Sequence, residues 1–131
     1  MLQHFNYPND NYRVCSITDI DFNDEIFDTV VAHAVIDHLS TEDAKKAIDE
    51  LFRITKKNGL IYISFDGIED DDINLTHEVL KDGSFLYSDE SRNGLLFKYY
   101  KENDIKNLIK GREQIYYNIT SKDDREVILR K

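Results

Sequence analysis

The chain has 131 residues, 40% of them apolar and 11% aromatic, which is enough for a single domain with a modest core and excludes global disorder. Asp and Glu outnumber Lys and Arg by 26 to 17, giving a net charge of −9. That balance argues against a nucleic-acid surface and against docking on anionic lipid, since both need clustered cations. One cysteine, Cys15, leaves no internal disulfide framework and no multi-cysteine zinc site.

Residues 1–11 read as a loose lead-in with neither a secretory leader nor an apolar run, and no stretch approaches the roughly 18 apolar residues of a membrane span. A cytoplasmic protein is the expectation. Residues 12–17 read as a short strand with Val14 and Ile17 in the core, followed by a polar turn anchored by Ile20 and Phe22. The run FDTVVAHAV over 27–35 is continuously apolar and β-branched, the pattern of a strand buried on both faces. Residues 41–55 carry Ala44, Ala47, Ile48, Leu51, Phe52 and Thr55 on one helical stripe. Ser40 is placed to cap that helix, with Glu42 and Asp43 in its first turn and Gly59 as its closing residue. A second apolar strand, LIYISF over 60–65, completes a βαβ unit.

The acidic stretch 66–72 reads as a loop, 76–81 as a short helix, and 84–88 and 95–100 as strands around the turn 91–94. A short helix capped by Asn103 runs to Ile109, and 114–120 and 125–129 form a terminal hairpin. The whole chain, 1–131, reads as one α/β domain with an antiparallel end.

Several constellations resemble sites but fit structural roles better. Glu69 to Asp72 lacks the alternation and central glycine of a calcium loop and reads as a solvated turn. His4, His33, His38 and His77 are scattered, and the five-residue step from His33 to His38 is not a helical zinc pair, so no metal site is expected. Cys15, inside an apolar strand, reads as inert packing. In the pairs Tyr99–Tyr100 and Tyr116–Tyr117, one ring is expected to face the core and the other solvent.

The stretch VCSITDIDFNDEIFDTVVAHAVIDHLSTEDAKKAIDELFRITKKNGLIYISFD, residues 14–66, resembles the second half of a class I S-adenosylmethionine-dependent methyltransferase domain. The resemblance rests on Ile20 and Phe22 in the turn, Phe27-Asp28 opening the fourth strand, and His38-Leu39 after it. It continues through Glu50-Leu51-Phe52-Arg53 in the helix and Lys57-Asn58-Gly59 before the fifth strand. It implies a partial Rossmann-like methyltransferase sheet with helices and antiparallel C-terminal strands. Carried over, Ser16, Ile17 and Thr18 would border the adenine of S-adenosylmethionine, Ala32 and His33 would lie beside its sulfonium end, and His38 would shape the pocket wall.

Two departures accompany the resemblance. The first glycine is Gly59, so no glycine-rich cofactor turn stands upstream, and Ser16 takes the place where the family often has an aspartate. The expectation is a truncated methyltransferase-like domain, beginning just after the family's second strand and unable to hold the cofactor alone. In the family's strand order 3-2-1-4-5-7-6, loss of the first two strands would leave the strand at 27–35 with an open edge. Such an edge invites a second copy or a missing N-terminal half. No nucleic-acid or membrane partner is expected, and no dedicated base can be named. Two rival readings stay open: a non-catalytic interaction module that dimerises through this edge, and an unrelated α/β domain.

Overall fold

A computed structural model describes residues 12–131, so the lead-in at 1–11 and its expected character lie outside the described residues. In chain order the elements are β1 (Phe27–His33), a 3-10 turn (Ile36–His38), α1 (Thr41–Ile54), β2 (Thr55–Phe65) and α2 (Asp70–Asn74). They continue with β3 (His77–Val79), β4 (Phe85–Tyr87), β5 (Leu96–Phe97), α3 (Glu102–Leu108), β6 (Glu113–Ile119) and β7 (Arg125–Arg130). The main sheet has the order β1-β2-β7-β6, matching the 4-5-7-6 end of the methyltransferase sheet. β1 and β2 are parallel, with Val30 opposite Ile61 and Ala32 opposite Ile63. β7 runs antiparallel to both β2 and β6, and the terminal hairpin forms as its sequence indicates.

The βαβ unit forms for the local reasons legible in its residues. Ser40 Oγ accepts a hydrogen bond from the Asp43 N–H at 3.1 Å, satisfying a donor the helix leaves open. Ala44, Ala47, Ile48, Leu51 and Phe52 are all buried against one core cluster. That cluster includes Ile61, Ile63 and Phe65 of β2, Val127 and Leu129 of β7, and Ile105 of α3. Alternation along β2 and β7 puts these residues on one face of the sheet.

Gly59 does not close the helix. α1 passes directly into β2 at Thr55, whose Oγ1 donates to the Leu51 carbonyl at 2.6 Å. Glycine is needed at 59 for space, because a Cβ there would lie 2.6 Å from Thr55 Cγ2 and 2.7 Å from the Asp28 carbonyl oxygen of β1.

Five further expectations are corrected. Residues 27–35 are not buried on both faces. Among the described residues β1 is the edge strand, and Val31 is 63% exposed opposite Tyr62. Residues 12–17 form no strand, only a Ser16–Asp19 bridge, with Val14 99% exposed and Cys15 exposed. A strand there would need a neighbour's ladder. The following backbone is instead drawn to α1, where Ile20 N–H donates to Glu50 Oε2 at 2.7 Å.

Residues 76–81 contain β3 rather than a helix. Pairing with β4 overrides local propensity, and the His77 ring stacks on Phe85 at 4.1 Å. The acidic run is not a plain loop, since Glu69 precedes α2 and its N–H donates to Asp72 Oδ2 at 2.7 Å. α3 starts one residue before Asn103, at Glu102. In the tyrosine pairs, Tyr117 packs on the core beside a Tyr116 that is 45% exposed, whereas Tyr100 is buried beside a Tyr99 that is half-buried under Arg125 rather than facing solvent.

Candidate cofactor site at the strand ends

β1 and β2 end at the same edge of the sheet, the place where open α/β sheets receive ligands. The chain reverses sharply there. Ala34 adopts φ of 52°, a left-handed conformation that a residue with a Cβ takes only when its surroundings enforce it. The enforcement comes from Ser64 at the end of β2, whose Oγ accepts the Ala34 N–H at 3.0 Å. The same hydroxyl lies 2.7 Å from His33 Nδ1. One serine therefore fixes both the turn and the His33 ring.

Three residues further on, Asp37 is fully buried in the 3-10 turn. Its Oδ2 accepts the Asp66 N–H at 3.0 Å, clipping the segments that follow β1 and β2 together. Burial pushes the Asp37 carboxyl above its ordinary range, opposed by the Asp66 N–H and by His38 and reinforced by the charge of Asp66. Its other oxygen, Oδ1, is buried without a hydrogen-bond partner among the described residues.

The small sheet β3-β4-β5 leans over this turn. Lys98 N–H donates to the Asp37 carbonyl at 2.8 Å, and His38 Nδ1 lies 3.0 Å from the Leu96 carbonyl. A carbonyl only accepts, so His38 carries its proton on Nδ1. Between sheet edge and small sheet lies a cleft of about 340 Å³, lined by His38, Asp66, Gly67, Arg92, Phe97 and Asp124 among others. That volume is at the lower end of small-molecule pockets. Asp72 holds Arg92 through a 2.7 Å ion pair.

Of Ala32, His33 and His38, only His38 lines the cleft; Ala32 is buried in the core, and His33 is exposed at the end of β1, where Ser64 holds its ring. Ser16, Ile17 and Thr18 lie elsewhere. Ser16 Oγ is 2.7 Å from Thr18 Oγ1, and Ile17 packs on the core. Ser16 lines a shallow groove with Ile20 and Arg53. Arg53 is near the end of α1, whereas His38 precedes its start. Fourteen residues of helix separate the two groups by roughly 20 Å.

Residue-by-residue reading missed Ser64, Asp37 and Asp66. The available signal was their position, polar residues at the ends of apolar strand runs.

The Glu50-Leu51-Phe52-Arg53 pattern also acquires a physical meaning. Arg53 donates to both carboxylate oxygens of Glu50, at 2.8 and 2.9 Å, and to the Ile20 and Phe22 carbonyls at 2.8 Å each. The forked guanidinium ties the segment before β1 to the helix. The Arg53 hydrogen bond holds the Glu50 carboxyl below its ordinary value.

The sequence pattern of a methyltransferase domain matches residues 1–63. Over 63 residues the chain is 36% identical to a tRNA (carboxymethyluridine(34)-5-O)-methyltransferase of Arabidopsis thaliana, a match covering 47% of this chain and 16% of that protein. A SAM-dependent methyltransferase of Methanosarcina mazei superposes with a TM-score of 0.71 at 19% identity, over 91% of this chain and 66% of that one. The 1,6-didemethyltoxoflavin-N1-methyltransferase of Burkholderia thailandensis, solved with S-adenosylhomocysteine, superposes with a TM-score of 0.64 at 12% identity, covering 89% and 48% of the two chains. The chain therefore has the fold of a class I S-adenosylmethionine-dependent methyltransferase and, over its first half, the methyltransferase-domain sequence pattern. It spans only a small part of the curated relative's length and just under two thirds of the Methanosarcina chain. Among the described residues no helix is long and apolar enough to cross a membrane.

Proposed function

We propose that the chain is the C-terminal part of an S-adenosylmethionine-dependent methyltransferase, and that residues 1–131 by themselves do not retain the cofactor. The observation that supports this reading best is the meeting of His38 and Asp66 beside a cleft at the ends of two parallel strands. S-adenosylmethionine, when bound, supplies an electrophilic methyl group on a sulfonium sulfur. The residues here contribute positioning: Ser64 and the Leu96 carbonyl hold the two imidazoles, and the small sheet walls the cleft. Tight binding requires close backbone approach from a glycine-rich turn, and no glycine precedes Gly59. The net charge of −9 favours a small-molecule or protein acceptor over an RNA.

Calorimetric titration with S-adenosylhomocysteine is expected to show no binding at micromolar concentration. At millimolar concentration, amide shifts should concentrate at residues 32–38. Tight one-to-one binding would overturn the proposed incapacity, and shifts confined to the Arg53 groove would overturn the location.

The exposed Val31 on the edge strand β1 favours a second reading, a non-catalytic module that dimerises edge to edge. Light scattering over a dilution series should then show a dimer dissociating. A persistent monomer whose β1 amides resist hydrogen exchange would point instead to closure of the edge within one chain.

A further inference from the structure

We propose that Asp37, His38 and Asp66 form a binding site for a divalent first-row transition ion such as Mn²⁺ or Zn²⁺. One donor atom from each of the three residues lies within 4.8 Å of the other two, a spacing that a single ion between them can bridge. The donor set, two carboxylates and an imidazole, suits these ions. Three protein ligands would leave coordination positions open toward the cleft, as at reactive rather than purely structural centres.

Two observations beyond the clustering point to a cation. The first is Asp37 itself. The residue has 0% exposure, yet its Oδ1 meets no donor among the described residues. A buried carboxylate oxygen without a partner is costly, and native structures seldom leave one so. A proton on Oδ1 would remove the charge but create a hydroxyl with no acceptor at hydrogen-bond distance among the described residues. A cation shared with Asp66 and His38 satisfies the oxygen directly.

The second observation is the orientation of His38. Its Nδ1–H is committed to the Leu96 backbone carbonyl, which leaves the Nε2 lone pair available and locks the ring. Metal-binding histidines are held in this way, with the second nitrogen donating to a carbonyl or carboxylate. The Asp66 N–H on Asp37 Oδ2 plays the matching part for the carboxylate, fixing one oxygen while the other stays free. Arg92, the cleft cation nearest in chemistry to a competitor, is neutralised by Asp72.

The proposal does not depend on methyl transfer, because its test reads metal alone. Mn²⁺ and Zn²⁺ are titrated into the full chain, free of cofactor, by calorimetry. Proton NMR then follows paramagnetic broadening by Mn²⁺. Saturable binding of one ion per chain is expected, with broadening strongest at the His38 ring and the Asp66 amide and far weaker at residues 16–18. Asp37→Asn and Asp66→Asn should each weaken binding by at least about tenfold. Asp66 is only partly buried, so its variant remains informative even where the Asp37 change unfolds the chain. Absence of saturable binding of either ion up to millimolar concentration would overturn the assignment. Binding unchanged in Asp66→Asn, or broadening centred away from His38, would do the same.

Discussion

Replacing Gly59 with alanine tests most sharply how the edge strand is seated. The added Cβ would lie 2.6 Å from Thr55 Cγ2, 2.7 Å from the Asp28 carbonyl oxygen and 2.8 Å from the Lys56 carbonyl oxygen. Carbon–oxygen contacts in sheets settle at about 3.3–3.6 Å, so each overlap exceeds about half an ångström. None of the three atoms can retreat cheaply. Two are backbone, and the Thr55 side chain is held by its bond to the Leu51 carbonyl. Overpacking of this kind costs about 1–3 kcal/mol, and alanine's smaller unfolded-state entropy offsets about 0.4–1 kcal/mol. The net expectation is a loss of about 1–2 kcal/mol.

Urea denaturation should show this as a midpoint lowered by about 1 M with an unchanged slope. Because Asp28 belongs to β1, hydrogen exchange at the amides of Thr29 and Val30 should also accelerate. Gly83→Ala is the control. Gly83 has φ of 86° and, among the described residues, nothing within 4 Å of an added Cβ, so its substitution costs backbone strain alone, about 1–2 kcal/mol, without loosening β1. Wild-type stability for Gly59→Ala would refute the close approach of β1 to β2 at this point.

Leu51→Ala removes a side chain with 3% exposure from the contact between α1 and β2, and should cost about 2–5 kcal/mol by chemical denaturation. Ser40→Ala should cost about 0.5–2 kcal/mol and Ser40→Gly only a few tenths, the order being diagnostic of the bond to Asp43 N–H. Glu50 carries a lowered pKa, chiefly through the Arg53 hydrogen bond, so its contribution is present above the ordinary value of 4.5 and is lost as pH falls through the lower, folded value. The stability difference between wild type and Glu50→Gln should accordingly shrink between about pH 6 and about pH 3. A difference independent of pH would show that the clamp does not act through the carboxylate.

The local signals in the sequence were decisive where short-range physics decides. Ser40, the acidic first turn and the apolar stripe define α1 because capping, dipole and periodicity all act within a few residues. The apolar runs of β1 and β2, joined by that helix, define the parallel pair for the same reason. The methyltransferase pattern in residues 14–66 rests on these same elements.

Other features depend on what lies across the fold. Strand or helix at residues 76–81 was settled by the ladder β4 offered and by the ring of Phe85. The absence of a strand at 12–17 followed from Glu50 and Arg53 capturing the adjoining backbone. Gly59 was recognisable as a special position, but only the nearness of the Asp28 carbonyl shows that the demand is for space rather than for a helix end.

Asp37 and Asp66 are 29 residues apart, and neither carries a motif of its own. They meet because parallel strands end at the same edge and a hydrogen bond joins the turns that follow. The elements were determined by local sequence because their hydrogen bonds and caps close locally. The burial of Asp37, its unpartnered oxygen and its encounter with His38 and Asp66 were decided by tertiary structure, since desolvation and long-range juxtaposition exist only once the chain has packed.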